Sequence, residues 1–310
     1  MDKYKSLFNR GGLSLDRLRN FVLIADAGGI SLAADRDPTR MSLFSKQIKE
    51  LESFFGAALT VRQGRSTKIT AAGNQLAQLA RAYLSGLENF QQTCQGVPQT
   101  ISIASGNSVL EWLVLPQMAK LRQALPNTRF DLSTGRTNDL VQRLTDMSVD
   151  LALIREDAVI RPLKSKRLRQ LAYSLFIPEP MAAAVWKGKL NQTLGVLPLA
   201  TSAGGQFREY LEAAAGKARC PIRIELSCSS FTQAARAVKG GGFGAVLPSL
   251  AASEFEPGSV VQVALPFLKS YARPISLAWN PRLTEVRPTV ALAIKAFDFA
   301  LADTAPHQVG

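Results

Sequence analysis

The sequence predicts an α+β chain of several domains: a small helical unit closed by a β-hairpin, a long connecting helix, and a two-lobed α/β domain. Three observations carry this expectation. Phe44, Ile48, Leu51 and Phe55 recur at helical spacing and lead straight into an alternating, strand-like stretch tipped with arginines. Leu76, Ala80, Tyr83, Leu87, Phe90 and Cys94 follow one another by four, three, four, three and four residues, which is a heptad seam. After Pro98, short apolar strands alternate with helical patterns, which implies βαβ units and a mostly parallel sheet.

Bulk composition sets outer limits. At 310 residues the chain exceeds one small core, and 46% hydrophobic residues describe a globular protein. No apolar run approaches the roughly 18 residues that span a membrane. The polar stretch Met1 to Gly12 lacks an apolar signal core and is expected to form a ragged cytoplasmic extension. The formal charge of +13 suits a polyanionic partner, although it divides as +5 over residues 1–95 and +8 over the rest. Clustering, rather than total charge, is therefore the informative quantity. Cys94, Cys220 and Cys228 have no metal-ligand spacing and leave an odd thiol, the pattern of ordinary buried residues in a reducing compartment. His307, the one histidine, falls in the tail, so zinc and Ser-His-Asp constellations are not expected and no cofactor is implied.

Taken in order, Leu15, Leu18, Phe21, Val22 and Ala25 form one face of a first helix that Gly28-Gly29 stops. Ile30 to Arg36 reads as a second, short helix. A third begins near Thr39, as its cap, because Pro38 pushes Asp37 out of the helical region, and it runs to Gly56. Its outer side carries Ser42, Lys46, Lys49 and Ser53. Leu59-Thr60-Val61 and Lys68-Ile69 are the strands of a hairpin whose turn is Gln63-Gly64-Arg65-Ser66. No acidic residue occurs between Glu52 and Glu88, an interval that holds Arg62, Arg65, Lys68 and Arg81. Such a stretch attracts phosphate, whose contacts supply affinity and position a reading helix. A solvated lysine face is the competing account of the helix alone.

Residues Leu13 to Gln95, with Leu18-Arg19-Asn20-Phe21, Ala33-Ala34, Phe44-Ser45-Lys46-Gln47-Ile48-Lys49-Glu50-Leu51-Glu52, Gly56, Arg62 and Ile69-Thr70-Ala71-Ala72-Gly73, resemble the winged helix-turn-helix and linker of the LysR-type transcriptional regulators. Met118 to Pro126, Asp150 to Ile154 and Val238 to Pro248 resemble the effector-binding domain of the same family. The sequence departs at Asp37-Pro38-Thr39-Arg40-Met41-Ser42, where the family carries a core leucine and a Ser-Gln-Pro run, and its Gly-rich segment is one residue shorter. The resemblance implies a winged helix-turn-helix over 13–69, a linker and dimerisation helix over 70–95, and a two-lobed, periplasmic-binding-protein-like effector domain over 99–310. Lobe I is expected at about 99–168 and 272–304, and lobe II at about 169–271. The expected partners are double-stranded DNA, a second or further copy of the chain as homodimer or homotetramer, a small-molecule effector, and RNA polymerase as an additional contact. Candidate DNA contacts are Arg40, Met41, Ser42, Ser45, Lys46 and Lys49 on the helix, with Arg62, Arg65 and Lys68 on the wing. The seam residues Leu76, Ala80, Tyr83, Leu87 and Phe90 are the candidate dimer contacts, the competing account being that this face packs on its own domain.

Four strands end in small polar runs that precede helices: Ser105-Gly106-Asn107-Ser108, Gly135 to Asn138, Thr201 to Gly205 and Ser227 to Ser230. Ligands bind at carboxyl ends of strands in open parallel sheets, where helix N-termini favour an anion or carboxylate. Candidate effector contacts are Ser105, Gly106, Asn107, Ser108, Arg136, Thr137, Arg155, Thr201, Ser202, Ser229 and Phe243. The same residue types also cap helices, the arginines also serve as surface cations, and Phe243 also suits a core. Gly240, Gly241, Gly242 and Gly244 precede an apolar strand rather than a helix, which excludes a dinucleotide loop. The alternative to a regulator is a two-lobed small-molecule binding protein or enzyme with an N-terminal oligomerisation arm.

Overall fold

The computed structural model describes residues 5–8, 11–63, 66–186, 188–202 and 206–302. Arg65, with Gly64 at the predicted hairpin turn, and His307 lie outside the described residues. Within the expected ragged extension the chain makes one helical turn, α1 (Lys5–Phe8).

Helix α2 (Leu15–Asp26) starts at Ser14, whose hydroxyl accepts the Arg17 N–H. Phe21 and Ile24 are buried, whereas Leu15, expected on the same face, is exposed at the first turn. Helix α3 (Ile30–Ala33) is shorter than the sequence suggests, because Asp35 and Arg36 take left-handed φ values of 51° and 63° and reverse the chain. Helix α4 (Pro38–Phe55) is capped by Asp37 and not by Thr39. The Asp37 carboxylate accepts the N–H groups of Thr39 and Arg40 at 2.7 and 3.0 Å. Pro38 occupies the first helical position, where a missing N–H costs nothing. Phe44, Ile48 and Leu51 are buried in a core with Phe21, Ile24, Ala34, Leu59 and Ala77. Phe55, in the last turn of α4, is 41% exposed and turns edge-on to Phe54.

The wing is an antiparallel hairpin of β1 (Thr60–Gln63) and β2 (Ser66–Ile69). Glu52 ties it to α4: its carboxylate accepts the N–H groups of Leu59 and Thr60 and the Thr60 hydroxyl. Helix α5 (Ala71–Gln95) follows at once, capped by Thr70 on the Gly73 N–H and ended by Gly96 in the left-handed region.

Lobe I is built from β3 (Gln99–Ser105), α6 (Asn107–Val109), α7 (Met118–Ala124), β4 (Thr128–Thr134), α8 (Thr137–Thr145), β5 (Leu151–Arg155) and β6 (Lys164–Leu171). Between β3 and β4 the chain makes not one helix but α6, a π-helical turn, a 3-10 turn and α7, since Pro116 has no N–H to continue a ladder. The chain then crosses into lobe II: β7 (Tyr173–Pro178), α9 (Glu179–Val185), α10 (Leu190–Val196), β8 (Pro198–Ser202), α11 (Gln206–Lys217), β9 (Arg223–Cys228), α12 (Phe231–Lys239), β10 (Gly244–Pro248) and β11 (Val260–Ala264). It returns through β12 (Arg273–Trp279), α13 (Pro281–Val286) and α14 (Pro288–Ala302).

The two sheets have orders β4-β3-β5-β12-β6 and β11-β7-β10-β8-β9. They are mixed, not mostly parallel. In each, two neighbouring pairs are parallel and two antiparallel, the antiparallel ones being β5-β12, β12-β6, β7-β10 and β11-β7. The antiparallel strands are those nearest the two crossings, where the chain enters a lobe from the other one. Strand β6 carries no strand signature in its residues: it is a basic, largely exposed edge strand, Lys-Ser-Lys-Arg-Leu-Arg-Gln-Leu, with little apolar alternation. It ends at Leu171, still paired with Arg273 of β12, and Ala172 alone separates it from β7 of lobe II. Trp112 of lobe I inserts among Phe176, Ala235 and Leu247 of lobe II and donates to Glu254 at 3.1 Å, fastening the lobes on one side.

Candidate nucleic-acid interface and effector cleft

The inner side of α4 is spent on the core, which leaves its outer side to solvent. Ser42, Lys46 and Lys49 are exposed there and Ser45 is half-buried. Arg62 and Lys68 are exposed on the wing. Among the described residues no ion pair engages Lys46, Lys49, Arg62 or Lys68, so four cations remain available to an outside anion. Acids nearby are held elsewhere: Glu50 pairs with Arg17 across α2 and α4, and Glu52 is committed to the wing.

Two of the helix candidates are placed otherwise. Arg40 bonds Asp35 at 2.8 Å and the Ala33 carbonyl at 3.3 Å, with its guanidinium 5.8 Å from the Phe44 ring centre. It holds the α3–α4 turn. Met41 is half-buried against the core of the winged unit, because its position falls on the inner edge of the helix. Arg81, inside the acid-free interval, also turns inward and binds Asp26 of α2 and the Asp146 carbonyl of lobe I.

Helix α5 inverts the usual rule for a surface helix. Tyr83, Leu87 and Phe90 are 63, 52 and 69% exposed, with Leu79 and Cys94 beside them. Its opposite stripe, Gln78, Arg81, Ser85, Asn89 and Gln92, faces the chain's own domains. Two seam residues are used internally: Leu76 packs on the core of the winged unit, and Ala80 is 4% exposed. Cys94 is exposed, contrary to the expectation of three buried thiols, while Cys220 and Cys228 are buried.

Between the lobes, Asn107 at the start of α6 donates to Thr232 of α12 at 2.7 Å, and Arg155 at the end of β5 donates to Gln206 of α11 at 2.9 Å. The Arg155 Nε lies 3.4 Å from Asp157 without hydrogen-bond geometry and is buried. Thr201 is 2% exposed and its hydroxyl has no partner among the described residues. Gly106, Ser108, Thr137 and Ser202 are half-buried at their strand or helix ends. Beneath the bridges, the Tyr173 and Phe207 rings stack at 4.5 Å with Phe231 and Tyr271 around them, and the Arg273 guanidinium sits 4.6 Å from the Tyr271 ring centre. Burial raises the Tyr173 phenol well above its usual range, Tyr271 adding to the rise and Arg273 and Arg155 opposing it, so this hydroxyl stays neutral.

Four expected contacts are not in this group. Ser105 is fully buried and donates to the Leu153 carbonyl at 2.6 Å, so its hydroxyl joins two strands. Ser229 is exposed and bonds Gln233 in its own lobe. Arg136 is exposed at the start of α8. Phe243 packs on the lobe II core. In exchange, Thr232, Gln206 and Arg273 enter the cleft. They stand in ordinary helix-start and strand-start positions, and nothing in their sequence context distinguishes them.

A winged helix-turn-helix joined by a long helix to a two-lobed α/β domain is the build of a DNA-binding transcription regulator that carries an effector-binding domain. The chain belongs to the LysR family: residues 15–74 match the bacterial regulatory helix-turn-helix protein, lysR family, and residues 95–297 match the LysR substrate binding domain. It is 26% identical over 271 residues to the HTH-type transcriptional regulator BbuR of Bordetella bronchiseptica, covering 82% of this chain and 80% of that one. It is 31% identical over 144 residues to DgdR of Burkholderia cepacia, a match spanning 46% of this chain and about half, 49%, of the relative. Its fold resembles that of ArgP from Mycobacterium tuberculosis with a TM-score of 0.69 at 18% identity, covering 94% of this chain and 98% of that one. Members of this family are transcription regulators and not enzymes, which sets aside the enzymatic alternative. Among the described residues no helix is long and apolar enough to cross a membrane.

Proposed function

We propose that the outer face of α4 enters the major groove and the wing grips the adjacent backbone. Ser42 and Ser45 face base edges, while Lys46, Lys49, Arg62, Arg65 and Lys68 hold phosphate. The observation that carries this is a set of exposed cations with no acidic partner, on a helix whose other side is fully used by a core. Two chains pair through Tyr83, Leu87 and Phe90, whose exposure makes little sense in water. The pair presents two reading helices to a site of two-fold symmetry, in the cytoplasm where the chromosome lies.

The cleft takes a small effector between the lobes, with Asn107, Arg155, Thr201, Ser202 and Thr232 as its polar contacts. The unpartnered Thr201 hydroxyl, beside the Arg155 guanidinium, favours a ligand with an acceptor group, a carboxylate or other anion. Footprinting of the purified protein on DNA upstream of its own and neighbouring genes tests the reading. One protected, symmetric segment at physiological salt supports it, and uniform weak binding to all duplexes overturns it.

A further inference from the structure

Where α5 meets the winged unit and lobe I, the chain forms a groove of about 370 Å³, at the lower end of the size range of small-molecule sites. All three parts of the molecule contribute to its walls: Asp26 from α2, Arg81, Glu88 and Asn89 from the polar stripe of α5, and Asp150 and Arg287 from lobe I. Two ion pairs brace it, Arg81 with Asp26 and Arg287 with Asp150. Asp150 is further fixed by the Ser102 N–H and hydroxyl at 2.8 and 3.0 Å.

The remaining hydrogen-bonding capacity is lopsided. Arg81 Nε, Asn89 Nδ2 and Arg287 Nε are buried, and each is an N–H donor without an acceptor. Asn89 is only 6% exposed, so bulk water does not readily satisfy it. At the exposed mouth the balance reverses, because Glu88 is a carboxylate with no ion pair among the described residues. Buried donors call for a carboxylate, and an unpaired acid one helical position away calls for a cation.

We propose that this junction groove binds a small zwitterion of amino-acid size, its carboxylate on Asn89 Nδ2 and the two guanidinium Nε groups and its ammonium at Glu88. Such a ligand bridges the linker helix and lobe I, and it reaches the winged unit through Arg81, which pairs with Asp26 of α2. It therefore stabilises this packing of the DNA-reading unit against the effector domain, from a place separate from the interlobe cleft. The regulatory consequence rests on the DNA-binding reading above; the binding itself does not.

The test is thermal shift and calorimetric titration of the full chain with each of the standard L-amino acids, with acetate and methylammonium as single-charge controls. At least one amino acid is expected to bind and raise Tm while both controls fail. Its Kd should rise about tenfold or more in Asn89→Leu and in Glu88→Gln, and stay unchanged in the cleft variant Ser202→Ala. Glu88 is exposed, so Glu88→Gln carries the test if Asn89→Leu does not fold. Failure of every amino acid to bind, or binding indifferent to the junction variants, overturns the proposal. DNA binding measured on the same samples separates the two readings: intact DNA binding with no amino-acid site sinks only this inference.

Discussion

Asp150 and Arg287 are the clearest case of a single pair on which local order depends. Their side chains are 6 and 12% exposed, and the carboxylate takes two more hydrogen bonds from Ser102. Replacing Arg287 with Met leaves a buried charge without its counter-ion, a change that costs about 3–5 kcal/mol. Urea denaturation should report that loss, whereas an unchanged midpoint would mean water reaches Asp150. At Gly73 a Cβ would lie 2.2 Å from the Leu59 carbonyl oxygen and 2.7 Å from the Ile69 side chain. Gly73→Ala should therefore destabilise the winged unit by about 1–3 kcal/mol through overpacking, visible in the same experiment. At this scale the sequence was a partial guide. The cap of α4 went to Asp37 because its carboxylate sits just ahead of Pro38 and reaches two N–H groups, and Met41 turned inward because one helical position decides between core and groove.

Elements were more legible than residues where periodicity was long. The helix over Pro38–Phe55, the hairpin and the 25-residue helix α5 all follow from spacing that can be counted. What spacing could not tell is which side of α5 faces inward. From Tyr83 to Cys94 the heptad seam stays outside while polar residues line the inner stripe, a choice made by packing against α2 and α13. An apolar stripe exposed this way predicts that Tyr83→Glu with Leu87→Glu converts the protein to a monomer, as sedimentation velocity would detect. Retention of the native mass by that variant would place the dimer contact elsewhere. Strand β6 was illegible for the opposite reason: an edge strand needs no apolar face, and its basic residues look like loop. The polar ends of strands pointed to the cleft, yet Ser105 and Ser229 show why residue type alone misleads, since both hydroxyls serve local hydrogen bonds.

Across the whole molecule, side-chain hydrogen bonds join the parts, Trp112–Glu254 between the lobes among them. Arg81 links the winged unit to lobe I, while Asn107–Thr232 and Arg155–Gln206 bridge the lobes. Arg155→Ala removes one bridge and the cleft's half-buried guanidinium, so it should weaken the response to an effector while leaving effector-free DNA binding unchanged. Titrating operator DNA with and without a cell-extract metabolite pool would separate those outcomes, and loss of basal DNA binding would contradict the assignment. The central claim is that α4 and the wing together hold duplex DNA. Fluorescence anisotropy on a footprinted duplex and a scrambled one, across a salt series, tests it most directly with the wild type and with Lys46→Ala, Lys49→Ala and Arg62→Ala. Each substitution should weaken binding to both duplexes and lower the salt slope by about 1, with preference between duplexes retained. Affinity and slope unchanged in all three variants would contradict the account.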